Sequence, residues 1–210
     1  MSSLIHAGAA LSPNGGYMSS DSDLIRTIFD ETAAAHQRFS AKQLDSVVAA
    51  ATAIRRAVKN GRKLLAFGNG GSAADAQHLV AELVGRFEME RAALAAVALT
   101  SNSSIVTAIG NDYSYDYVFA RQVEALGVAG DVAFGISTSG KSPNVERAVV
   151  AAKARGLLTI ALTGRDGGSI GPLADIHLNV AEQSTPRVQE VHRTVLHAMC
   201  SLIERNLDAT

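Results

Sequence analysis

From Asp21 onward, apolar residues recur at helical spacing: Leu24, Ile28, Ala35, Phe39, Leu44, Val47, Val48, Ala51, Ile54 and Val58. The pattern lapses near Ser40 and Ala41, which predicts two helices ahead of any strand. Asn60 and Gly61 then supply a helix stop. Beyond them lie four short apolar runs, at 63–67, 94–99, 131–136 and 157–162, and a weaker fifth at 175–180. Ala-rich helical stretches fill most of the intervals. Strand, helix and strand at this spacing require right-handed crossovers, and strands that are apolar throughout are those buried on both faces of a parallel sheet. The prediction is a doubly wound α/β fold, flavodoxin-like or Rossmann-like, in which helices cover both faces of a mainly five-stranded parallel sheet and an N-terminal helical segment precedes it. Ligands of such sheets bind beyond the carboxyl ends of the strands, so chemistry is to be sought in the loops that follow them.

Composition narrows the possibilities. A chain of 210 residues fits one domain with a loose end: a mobile leader over 1–20 and a single domain over 21–210, with N-terminal helices at 21–60 and the α/β core at 61–210. Lys and Arg total 19 against 20 Asp and Glu, so no long-range field draws the chain to nucleic acid or to an anionic membrane. No apolar run reaches the roughly 18 residues of a membrane span, and the first twenty residues lack the basic start of a secretory signal. A single cysteine, Cys200, set among apolar neighbours, excludes an internal disulfide framework and fits a reducing, cytoplasmic setting.

Two of the loops are suited to an anion. The first strand runs into Gly68, Asn69, Gly70, Gly71 and Ser72 before a helix. Glycines let the backbone turn and approach a ligand, Ser72 can cap the helix, and free N–H groups there attract anionic or polyhydroxyl groups. Any tight strand-to-helix connection is also built this way. The third strand ends in Ser137, Thr138, Ser139, Gly140, Lys141 and Ser142 before Pro143. Four hydroxyls at a helix start can bind a phosphate without strong positive charge, whereas capping needs only one. Neither loop is a P-loop or a dinucleotide fingerprint, so nucleotide binding is not favoured.

Proton-moving groups lie on two helices. His78 and Glu82, four residues apart, share a helix face and suit a metal, a proton relay or a plain surface pair. The last helix, over 187–206, carries Gln189, Glu190, His192, Arg193 and His197 among apolar residues. Spacing does not choose between His192 and His197.

The ordered set of Gly68 to Ser72, His78 and Glu82, Asn111 and Asp112, Ser137 to Ser142, then Gln189, Glu190, His192 and His197 resembles phosphoheptose isomerase, of the sugar isomerase (SIS) domain superfamily, over nearly all of residues 21–206. The resemblance implies conversion of sedoheptulose 7-phosphate into D-glycero-D-manno-heptose 7-phosphate, the entry to nucleotide-activated heptose for lipopolysaccharide, capsule or S-layer glycans. It implies that Glu82 and His197 exchange protons with substrate C1 and C2. Contacts to the sugar phosphate fall to Asn69, Gly70, Gly71, Ser72, Glu82, Asn111, Asp112, Ser137, Thr138, Ser139, Ser142 and Gln189. It also implies one zinc ion per subunit on His78, Glu82, Gln189 and His197, and a homotetramer with active sites near subunit interfaces. Two points stand against a simple transfer. Pro186 lies where some members have Asp, and Gln189 and His197 are about 12 Å apart along a straight helix, so sharing one ion needs a bulge or a neighbouring subunit. Among the relatives is a non-catalytic protein that binds the bacterial replication initiator, which is the alternative reading; a sugar-phosphate-sensing domain is a third.

Overall fold

The computed structural model describes residues 20–205 and 207; of the expected leader over 1–20 all but Ser20, and the predicted helix end at Asn206, lie outside the described residues. The chain begins with a 39-residue helix α1 (Asp21–Lys59), opened by a capping box in which Ser20 and Asp23 satisfy each other's backbone N–H groups. The predicted break at Ser40 does not occur. No Gly or Pro interrupts the stretch, Ser40 returns its hydroxyl to the Gln37 carbonyl inside the helix at 3.1 Å, and Ala35, Phe39, Val47, Ala50, Ala51, Ile54 and Ala57 form one buried stripe across the supposed gap.

Alternation then follows: β1 (Leu64–Gly68), α2 (Gly71–Val84), β2 (Ala96–Ala98), α3 (Ser103–Asp112), α4 (Ala120–Leu126), β3 (Val132–Ser137), α5 (Pro143–Ala154), β4 (Leu158–Gly164), β5 (Ile176–Val180) and α6 (Thr185–Arg205). Pro186 sits in the first turn of α6, where its missing N–H has no helical partner to lose. All four strand pairings are parallel and the order is β2-β1-β3-β4-β5. Side chains alternate across the sheet. Leu64 and Ala66 join Phe134, Ile160 and Leu178 under α1, α2 and α6, while Leu65 and Phe67 join Ala133 and Ala161 under α4 and α5. Helix α3 is the exception, with no buried residue.

The strand order reverses between β1 and β3, which pair through Gly68 opposite Ile136. A crevice opens at such a switch point because the connections leave β1 and β3 towards opposite faces. The two loops singled out by their Gly and hydroxyl content therefore emerge side by side.

Candidate active site

The turn after β1 depends on Gly70, which holds φ +53°, a conformation that favours residues without a Cβ. Gly70 is also the N-cap of α2 and brings no side chain to the cap. Ser72 is not the cap expected of it. It lies within the first turn, buried against Gly68, where a Cβ on Gly68 would strike its side chain, so its role is close packing of strand on helix. Asn69 is held by a reciprocal amide pair with Asn144, both bonds at 2.9 Å, and its Oδ1 also accepts from the Tyr115 hydroxyl at 3.2 Å.

The loop after β3 gathers its hydroxyls. Ser137 Oγ lies 2.9 Å from Ser142 Oγ and 3.4 Å from Ser139 Oγ, and Ser139 Oγ accepts from the Lys141 amide. Ser142 occupies the N-cap of α5 yet makes no side-chain cap bond. Capping therefore does not account for these hydroxyls, which bond one another and the Lys141 amide. Gly140, at φ +65°, lets this loop touch the next one. A Cβ there would overlap the Gly167 carbonyl.

Helices α2 and α6 run side by side and meet at three levels. A Cβ on Gly71 would overlap the Gln189 amide nitrogen, so the absence of a side chain there admits Gln189. One turn on, Arg193 bonds Asp75 at 2.7 Å. Burial raises the Asp75 carboxyl above its ordinary value, against the pull of Arg193. At the third level His78 Nε2 lies 2.8 Å from His197 Nε2, with Glu82 Oε1 3.4 Å from His78 Nε2. Burial and the charge of Arg193 lower the His78 pKa, with Glu82 acting against them and His197 adding to them. A cleft of about 540 Å³ opens between the first two levels, lined by Gly71, Asp75, Gln189 and Arg193. A larger cavity, about 700 Å³, lies at the opposite, amino end of the strands, walled by alanines and glycines with Arg56 and Arg62, far from this chemistry.

The structure thus joins Glu82, His78 and His197, joins Asn69 to the switch point, and joins Ser137, Ser139 and Ser142. Gln189 is placed apart from His197, at the Gly71 level, because α6 is unbroken from Thr185 to Arg205; no bulge shortens the distance. Asn111 and Asp112 bond each other at 2.8 Å at the exposed end of α3. His192, the other histidine of α6, is fully buried against the Thr163 carbonyl. Sequence reading missed Asn144, Tyr115 and Asp75, and gave Arg193 no role beyond the polar band of the last helix. An acid within the Ala-rich first turns of α2 and an Asn directly after Pro143 were the available signals, since each is a polar side chain on a helix face that must be buried.

As a metal site the third level fits in part. Two imidazoles and a carboxylate are suitable donors for zinc, yet nitrogens both about 2.0–2.1 Å from a tetrahedral ion must stand roughly 3.3 Å apart, so the 2.8 Å pair would have to open. As the side chains stand, no group of three or more His, Cys, Asp or Glu among the described residues has metal-holding geometry.

A family model described as SIS domain matches residues 28–164. A phosphoheptose isomerase of Citrifermentans bemidjiense is 56% identical over 162 residues, 77% of this chain and 84% of that protein. One of Pelobacter propionicus is 60% identical over 153 residues, 73% and 81% of the two chains. Among solved structures, phosphoheptose isomerase of Neisseria gonorrhoeae superposes with a TM-score of 0.84 at 48% identity, covering 89% of this chain and 100% of that one.

Proposed function

The chain belongs to the SIS domain family and, within it, to the phosphoheptose isomerases; from that premise we propose how its side chains perform the reaction. The enzyme is an aldose–ketose isomerase that converts sedoheptulose 7-phosphate into D-glycero-D-manno-heptose 7-phosphate, the first step towards nucleotide-activated heptose. The observation that carries the assignment of roles is the contact that Glu82 and His197 each make with His78, across the facing helices α2 and α6.

The phosphate rests on Ser137, Thr138, Ser139 and Ser142 at the start of α5, where hydroxyls and backbone amides supply donors. Asn69, Gly70, Gly71 and Gln189 line the approach to the sugar, while Ser72 packs beneath them, and Asn111 and Asp112 close on it from α3. Glu82 takes the proton from C1 and returns it to C2, while His197 moves the proton between the two oxygens, so that a 1,2-enediol forms and collapses with no net gain or loss. Three of the four zinc ligands, His78, Glu82 and His197, stand together; bound there, zinc supplies Lewis-acid polarisation of the carbonyl. Its fourth ligand, Gln189, calls for rearrangement.

A homotetramer is part of the proposal, supported by surfaces that one chain leaves bare: Leu24, Ile25, Ile28 and Phe29 on the first third of α1, with Phe29 71% exposed, and the unburied helix α3. A cytoplasmic setting is supported by the single cysteine, and among the described residues no helix is long and apolar enough to cross a membrane. No observation favours the initiator-binding alternative. The test is an NMR assay of product from sedoheptulose 7-phosphate, with and without a chelator, on wild type and Glu82→Gln. Absence of product from wild type under both conditions refutes the function; wild-type turnover by Glu82→Gln refutes the roles.

A further inference from the structure

Helices α2 and α6 are tied together a second time, beyond the level that carries His78, Glu82 and His197. Glu204 lies seven residues after His197, two turns along nearly the same face of α6. Its side chain is 2% exposed and every bond it makes goes to one short segment. Oε1 accepts from the Phe87 amide at 2.9 Å and Oε2 from the amides of Glu88 and Met89, each at 2.9 Å. Arg91 Nε closes the set on Oε1 at 3.0 Å. Burial alone would raise this carboxyl, yet the three amides and the Arg91 guanidinium outweigh it and hold it below the ordinary Glu value.

Arg91 directs its remaining nitrogens mainly at the end of α2, with one further bond from Nη1 to the Ala92 carbonyl at 3.0 Å. Nη2 donates to the carbonyl of Glu82 itself at 2.6 Å, and Nη1 to the carbonyls of Leu83 at 2.8 Å and Gly85 at 3.3 Å. Those are orphan carbonyls of a helix end, which a cation suits. The segment so pinned begins with Phe87, whose ring stacks on the His197 imidazole with centroids 5.5 Å apart and planes 30° from parallel. One guanidinium therefore grips the backbone of Glu82, and the carboxylate it binds holds the backbone of Phe87, whose ring lies on His197.

Such a buried pair is weak support for stability as such, because two charges must leave water to form it. A planar fork with five donors nevertheless fixes geometry in a way that apolar packing does not. We propose that Arg91 and Glu204 are positioning residues that lock α2 to α6, with Phe87 as the surface against which His197 is held for proton transfer. The proposal rests on the assignment of Glu82 and His197 given above. A displacement of about 1 Å at reacting groups can lower a rate by about a hundredfold, whereas the serine hydroxyls of the loop after β3 bond within their own loop.

The test is Glu204→Gln in the full chain, with Arg91→Lys as the second variant should the first not fold: Lys keeps the charge and lacks the fork. Expected are a kcat per folded protein lower by about tenfold to a hundredfold, a KM for sedoheptulose 7-phosphate within about twofold of wild type, and ring-proton NMR resonances of His197 displaced from their Phe87-shielded positions. A merely structural role would lower the melting temperature and leave kcat per folded molecule and the His197 resonances where they were; that outcome overturns the proposal. So do unmoved resonances with any kinetic result, or moved resonances with unchanged kcat. If Glu82→Gln turns over at the wild-type rate, the proton-transfer assignment fails separately, and the lock still stands or falls on the His197 resonances.

Discussion

Mild acid should destabilise this protein through His192. The ring is fully buried, Nε2 donates to the Thr163 carbonyl at 3.0 Å, and Nδ1 is left without a partner. Burial lowers its pKa from 6.5 to about 4, only partly opposed by the carbonyl. The unfolded chain therefore binds a proton across a range in which the folded chain does not. The contribution of this site is whole above pH 6.5 and is lost as pH falls from 6.5 to about 4. A difference of roughly 2.5 units at 1.36 kcal/mol each gives about 3 kcal/mol in full, of which about 2 kcal/mol falls between pH 7.5 and pH 5. The assay is urea unfolding at fixed protomer concentration across that window, on wild type and on His192→Gln, whose amide can still donate to Thr163 without titrating. His177 is also lowered by burial but is present in both proteins, so it cancels in the comparison. The wild-type curve should fall more steeply, by about 2 kcal/mol over the window. Parallel curves, or an NMR titration of His192 near 6.5, would refute the reasoning.

Gly71→Ala should lower activity with little change in melting temperature, because the added methyl meets only the mobile end of Gln189; wild-type kcat/KM would count against Gln189 as a ligand of the sugar. Gly140→Ala should cost stability instead, by more than the roughly 1–2 kcal/mol of a left-handed residue with a Cβ, since its new atom meets the backbone of Gly167; chemical denaturation measures this. Asp131 is wholly buried and accepts from Lys63 N, Lys63 Nζ and Val128 N, so Asp131→Ala should lose on the order of 3 kcal/mol, read by the same denaturation.

The sheet was legible because its signal is redundant: each of 63–67, 131–136 and 157–162 is apolar on both faces and bounded by polar or glycine-rich turns. The N-terminal segment was not, because a single lapse in periodicity at Ser40 looks the same whether a helix ends or merely turns a small polar residue to solvent. Candidate residues on loops were found by composition, as hydroxyls in excess of capping. Arg91 and Glu204 escaped because isolated charges on amphipathic helices and loops are ordinary, and only three dimensions show that both are buried and aimed at the same backbone. Spacing could not choose between His192 and His197, and the fold explains why: both lie on α6, but one faces β4 and the other faces α2.

The amide pair at the switch point has a consequence for what the Asn69 side chain can still bind. The Val145 amide donates to Asn144 Oδ1, which fixes which end of the Asn144 side chain is oxygen. Its nitrogen must then donate to Asn69 Oδ1, an atom that also receives the Tyr115 hydroxyl and so has both lone pairs engaged. What Asn69 has left to offer is one N–H. At that point the side chain can meet a lone pair and has none of its own left for a donor.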